Sequence, residues 1–173
     1  LQPPSVNTEA ALAELAALNP ELIVVCAFGQ ILKTALLQLP PAGCINIHAS
    51  LLPRHRGASC IQAALLAGDE QTGITIIQMD QGLDTGDFLA HRSIAIDAGE
   101  TASSLHDRLA QLAPAALAQA VEQIQTGTIR AAVQDESRAS YAPKLSRQDG
   151  EIDWQLSAGE IERRIRALYA WPG

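Results

Sequence analysis

An α/β fold, with helices wound on both faces of a mostly parallel sheet, is what this sequence predicts, and three observations carry that expectation. Helical and strand-like segments alternate along the chain. The run Leu22 to Phe28 is continuously apolar, as a strand buried on both faces of a parallel sheet requires. Gly29, Pro40-Pro41 and Gly68 punctuate the chain between such segments. With 173 residues, 47% of them hydrophobic, the chain has the length of one domain and enough apolar material for a sizeable core.

Taken in order, Asn7 or Thr8 can cap a first helix whose apolar face is Leu12, Leu15 and Leu18, with Pro20 closing it. The strand Leu22 to Phe28 follows, then a short helix from Ile31 to Leu39 and a strand from Cys44 to His48. Ala58 to Ala67 reads as the next helix, ended by Gly68, and Gly73 to Met79 as the next strand, rich in β-branched residues. A loop from Asp80 to Gly86 precedes Phe88 to Ile96, where His91, Arg92 and Ser93 indicate a strand near a sheet edge.

Thr101 can cap a long helix carrying Leu105, Leu109, Leu112, Ala116, Ala120 and Ile124 at helical spacing, which Pro114 should kink or split. Val133 to Gly150 is polar and turn-rich. Ser157 to Glu160 has the form of a capping box, opening a last helix with Ile161, Ile165 and Leu168 as its core face.

Composition narrows the function. Only 3% of residues are aromatic, so no series of rings is available for stacking nucleic-acid bases. Residues 1–100 carry four basic and ten acidic side chains and residues 101–173 eight and nine, for a net charge of −7. Such a chain should not by itself grip a polynucleotide backbone. Three widely spaced cysteines, no membrane-length apolar run and no signal-like start fit a soluble cytoplasmic protein with reduced thiols. The absence of an initiator Met and the final Trp171-Pro172-Gly173 turn suggest a piece cut at both ends.

Asn46 and His48, two apart in a strand, project to one face near its carboxyl end, where open α/β sheets bind ligands. Alone, the pair reads more readily as a hydrogen-bonded polar couple at a strand end than as a site. Ser50-Leu51-Leu52-Pro53 then leads through Arg54-His55-Arg56-Gly57 into a helix N-terminus, where backbone N–H groups can face a ligand. The turn Asp80-Gln81-Gly82-Leu83-Asp84-Thr85-Gly86-Asp87 adds three carboxylates, at spacings that do not match a calcium loop, and no metal is expected. An Asn, a His and an acid together have the parts an acyl transfer needs. The first two can meet the oxyanion, and Asp84 can orient His48 or move the amine's proton.

The stretches Cys44 to Gly57 and Gly82 to Asp87 closely resemble the signature of the folate-dependent formyltransferases, a family with a Rossmann-like catalytic domain. The resemblance implies catalytic roles for Asn46, His48 and Asp84. It also implies a folate site at Ser50, Leu51, Leu52 and Pro53 with Gly82 and Leu83, and 10-formyltetrahydrofolate as formyl donor without a metal.

Tyr141 to Ser146, Gly150 to Trp154 and Arg166 to Gly173 look most like the branch whose acceptor is initiator methionyl-tRNA, with Arg54, Arg56 and Arg166 as candidate tRNA contacts. Sugar-amine formyltransferases, the formyltetrahydrofolate hydrolase domain and a non-catalytic folate- or tRNA-binding module are the alternatives. On this resemblance residues 1–150 are part of the catalytic domain without its first strands. Residues 151–173 are a closing helix and linker toward an absent C-terminal barrel. The family's sheet order would leave the Leu22 to Phe28 edge unpaired, so the piece is expected to self-associate where the full-length protein is a monomer.

Overall fold

The computed structural model of the chain describes residues 2–173. Four strands form one sheet in the order β1 (Ile23–Cys26), β2 (Cys44–His48), β3 (Gln71–Gln78), β4 (Phe88–Ala95). The α/β class is as expected, but the pairing is mixed rather than mostly parallel. β1 and β2 are parallel, whereas β2–β3 and β3–β4 are antiparallel. An apolar β-branched run such as Ile74 to Ile77 is buried either way and does not encode direction.

Helices cover both faces. On one side α1 (Glu9–Ala17) and α2 (Thr34–Leu37) enclose a cluster of Val6, Leu32, Leu36 and Cys44, with Leu12, Leu15, Ile23 and Val25 packed against it. On the other, α3 (Cys60–Ala67), α4 (Ala102–Gln125) and α5 (Ala158–Leu168) bury Ile45, Ile74 and Ile76 with Leu65, Leu105, Leu109 and Leu168. Residues 45 and 44 thus point to opposite clusters, and the alternation of β2 puts Asn46 and His48 on the Cys44 side.

Caps fix the helix starts. The Thr8 hydroxyl accepts from the Ala11 N–H, while Asn7 bridges to the loop after β1, accepting from Lys33 N and donating to Ile31 O. Thr101 with Ser104 and Ser157 with Glu160 form reciprocal boxes at α4 and α5. Three expectations change. Pro114 neither splits nor ends α4, which runs on through it for 24 residues. Leu18 lies just past the end of α1 and Ile165 on the outer side of α5, and both are exposed.

The strand β1 is shorter than its apolar run and has one open face and one open edge. Val24 and Phe28 are 43% and 45% exposed, and with Ile23, Val25 and Cys26 they line a groove of about 710 Å³. The expectation of burial on both faces is therefore corrected for this strand, because no further strand pairs with it among the described residues. β4 is the opposite edge, as its polar residues required.

Ile76, fully buried between α4 and the neighbouring strands, should lose about 2–5 kcal/mol on Ile76→Ala, whereas Leu18→Ala should stay within about 0.5 kcal/mol of wild type. Urea denaturation of both variants checks the contrast.

Candidate active site

The site is built on β2, whose alternation sends Asn46 and His48 the same way. Asp84 reaches them by an unexpected route. Because β3 runs antiparallel to β2, its carboxyl end lies beside the start of β2, with Gln78 opposite Ile45. The loop 79–87 must therefore fold back for its acid to reach mid-strand. Asp80 shapes the fold-back, accepting from Gly82 N at 2.9 Å and from the Thr85 hydroxyl at 2.7 Å. Any side chain at Gly82 would run into that hydroxyl, and one at Gly86 into the Gln78 carbonyl. Asp84 itself sits at φ +55°, a conformation that costs a non-glycine residue about 1–3 kcal/mol and persists only where surrounding bonds offset it.

The three expected residues converge. The Asn46 amide donates to Asp84 Oδ1 at 3.3 Å, Gly57 N–H donates to Asp84 Oδ2 at 2.8 Å, and His48 Nδ1 lies 3.5 Å from the same oxygen. His48 Nε2 is 2.9 Å from the His55 carbonyl, which can only accept, so Nε2 carries a hydrogen. Both ring nitrogens face acceptors, the arrangement that suits an imidazolium. Burial opposes that charge, but the Cys60 sulfur, the Asp84 carboxylate and the His55 carbonyl outweigh it and push the His48 pKa up to about 9.

The loop after β2 is tied down by hydrogen bonds. The Ser50 hydroxyl donates to Arg54 O at 2.7 Å, and Thr75 of β3 donates to Ser50 O and accepts from Leu52 N. Ser50 is thus fully buried, with its hydroxyl turned inward. Leu51, Leu52 and Pro53 line a cavity of about 430 Å³ with Arg54, His55 and Thr72; its walls do not include Asn46, His48 or Asp84. Gly82 and Leu83 do stand at the exposed tip of the Asp84 loop, and Gln81 ties that loop to the start of α2 through Thr34. Leu83 and, in the loop after β1, Ile31 are the exposed aliphatic side chains of the two tied segments.

The arginines divide. Arg54 is half-exposed and paired with Asp69 at 2.6 Å, and Asp69 also takes the His55 ring at 2.7 Å. Arg56, expected at a tRNA surface, is completely buried. It donates to Glu136 at 2.6 and 2.9 Å, to Gln134 Oε1 at 2.7 and 3.1 Å and to the Tyr141 hydroxyl at 3.3 Å. Arg166 is likewise engaged, with Glu162 and with the Glu100 carbonyl. All five Arg56 N–H groups are thus met inside the fold, whereas Arg166 commits three of its five, to Glu162 and to the Glu100 carbonyl. Cys44 is buried against α2, and burial pushes its thiol up to about 11.

Gln134, Glu136 and Tyr141 were missed as site residues. They lie in a stretch read as turns, and nothing in their local pattern signals contacts reaching back about 80 residues. Among the described residues no group of three or more His, Cys, Asp or Glu is arranged to hold a metal ion, and no helix is long and apolar enough to cross a membrane.

Residues 1–121 match the family model described as formyl transferase, and residues 144–173 the one for the formyl transferase C-terminal domain. Methionyl-tRNA formyltransferases of Marinobacter nauticus and Akkermansia muciniphila are 54% and 51% identical to the chain over 99% and 100% of its length, each covered to 55%. The chain thus spans about half the length of the curated relatives it matches. Two solved structures share the fold at lower identity. HypX from Aquifex aeolicus in complex with tetrahydrofolic acid is 20% identical with a TM-score of 0.79, covering 96% of this chain and 29% of its own. A likely sugar N-formyltransferase from Mycobacterium tuberculosis is 24% identical with a TM-score of 0.80, covering 96% and 72%.

Two solution tests follow from the geometry. His48 has a folded pKa of about 9 against an ordinary 6.5, so its charge contributes stability that is full below pH 6.5 and is lost as pH rises through 9. Urea unfolding at pH 6, 7.5 and 9.5 should show that decline, and His48→Gln should remove it. Arg56→Lys leaves Gln134 Oε1 short of its donors in the interior and should cost about 1–3 kcal/mol in the same assay.

Proposed function

The chain belongs to the formyl transferase family, and on that footing we propose that the protein transfers a formyl group from 10-formyltetrahydrofolate to the α-amino group of initiator methionyl-tRNA. Residues 1–150 are then part of the catalytic domain, and 151–173 its closing helix and linker. The observation that carries the reading is the convergence of Asn46, His48 and Asp84 on one another from two separate segments. The acceptor assignment leans on relatives about half identical over the whole chain and named methionyl-tRNA formyltransferase.

In this mechanism the neutral α-amine attacks the formyl carbon directly, and no protein nucleophile is needed. The carbonyl oxygen becomes an oxyanion. One Asn46 N–H is held by Asp84, leaving the other to meet the new charge, and the His48 imidazolium supplies positive potential beside it. Asp84 Oδ2 is occupied by Gly57 N–H, whereas Oδ1 has a single long partner and a lone pair free to take the proton the amine loses. The C–N bond to the folate then breaks, its nitrogen takes up a proton, and tetrahydrofolate leaves.

The exposed Gly82-Leu83 tip is the portion of the Asp84 loop that would meet the flat donor ring, with Leu51 to Pro53 as a second candidate wall. Ser50, turned inward, acts only by holding that wall. Of the three arginines, Arg54 alone keeps a half-exposed guanidinium that an acceptor phosphate could share.

In the complete protein Asn46→Ala should lower turnover by about 10²–10³-fold, the loss typical of one oxyanion donor. His48→Ala and Asp84→Asn should lower it by orders of magnitude with folding retained. The assay follows labelled formyl with methionyl-tRNA and, separately, with no acceptor. Formyl-methionyl-tRNA as product supports the proposal. Free formate at the same rate in both reactions would favour the hydrolase alternative, and near-wild-type turnover in any variant removes that residue from the mechanism.

A further inference from the structure

We propose that Gln134 is the positioning residue that sets the Asp84 carboxylate in the active site, a role that rests on the formyl-transfer reading above. Gln134 is 4% exposed, and its amide is fully committed. Its Nε2 donates to the backbone carbonyls of Asp84, at 2.8 Å, and Gly86, at 2.7 Å. Its Oε1 accepts twice from the Arg56 guanidinium, at 2.7 and 3.1 Å. All four hydrogen-bonding positions of the side chain are used. Its orientation is chemically determined, because carbonyls only accept and a guanidinium only donates, so a flipped amide would leave four mismatched contacts.

The loop needs such a clamp. Asp84 is held at positive φ, and the loop has folded back across the sheet to bring its acid to Asn46 and His48. Local bonds from Asp80 shape the tip at Gly82 and Thr85, and the bonds to Gly57 and Asn46 act on the Asp84 carboxylate. Gln134 acts on the backbone instead, gripping the carbonyls on either side of Thr85. Through Arg56 it ties them to the segment that follows β2, the strand bearing Asn46 and His48. Gln134 touches no reacting group; it acts through Asp84.

Gln134→Glu isolates this role. The carboxylate keeps the size of the side chain and still accepts from Arg56, but it has no N–H for the loop and sets a negative oxygen against two carbonyls. The experiment is a double-mutant cycle in the full-length enzyme, comparing wild type, Gln134→Glu, Asp84→Asn and the double variant, with kcat and KM for the formyl donor and methionyl-tRNA. A misplaced catalytic group costs about 10²-fold, so kcat of Gln134→Glu should fall by that order while both KM values stay within about threefold. In the Asp84→Asn background the same substitution should add less than about threefold, because the group it positions is already gone.

Wild-type kcat in Gln134→Glu, or an equal further loss in the Asp84→Asn background, overturns the inference while leaving the formyl-transfer reading intact. Wild-type turnover in Asp84→Asn sinks that reading and this inference with it. If Gln134→Glu does not yield folded enzyme, Gln134→Asn takes its place in the same cycle, since it keeps the amide but is one methylene too short to reach both partners.

Discussion

Much of this site is organised around one buried guanidinium. The Arg56 guanidinium has no exposed surface, and removing such a charge from water costs several kcal/mol unless its donors are met. Glu136 supplies the compensating charge, Gln134 and Tyr141 the remaining acceptors, and the guanidinium is held even more firmly protonated than usual by Glu136. These partners come from residues 134–141, which have almost no regular structure of their own and are ordered by what they bind. The backbone joins in: Arg56 N donates to Ser140 O, and Ala142 N donates to Arg56 O. A side chain at Gly57 would strike the Ala142 carbonyl, which explains the glycine between the arginine and the next helix.

From that cation the order spreads in two directions. One leads through Gln134 to the backbone on both sides of Thr85 and so to Asp84. The other leads back along residues 54–57, placing the His55 carbonyl on His48 Nε2 and the Gly57 N–H on Asp84 Oδ2. Two strained residues, His55 and Asp84 at φ +59° and +55°, sit at the ends of these paths. Such conformations persist where surroundings over-determine them, and both put a hydrogen-bonding group where the reaction centre needs it. His48 Nδ1 and the Asp84 carboxylate, 3.5 Å apart, are thus brought together by bonds from both directions.

Much of this was legible in the sequence, for physical reasons. Helices with strong caps, such as those at Thr8, Thr101 and Ser157, carry their signals locally. Asn46 and His48 share a face because strand periodicity is strict. Strand direction was not legible, since Ile74 to Ile77 would be equally buried in a parallel or an antiparallel pair, and with it went the true path of the Asp84 loop. Pro114 was overruled by the packing of Leu105, Leu109, Ala116 and Ala120 on the sheet. The burial of Arg56 was not legible because exposure is a tertiary property: its partners Gln134, Glu136 and Tyr141 lie about 80 residues away.

The pairing of His48 with Asp84 is the point on which the account stands, and it can be measured without turnover. NMR titration of the His48 ring in the full-length protein, wild type against Asp84→Asn, reads the pair directly. A wild-type midpoint near 9 that moves down when the carboxylate is removed is the predicted result. An ordinary midpoint near 6.5 in the wild type, or one that does not move in Asp84→Asn, would contradict it.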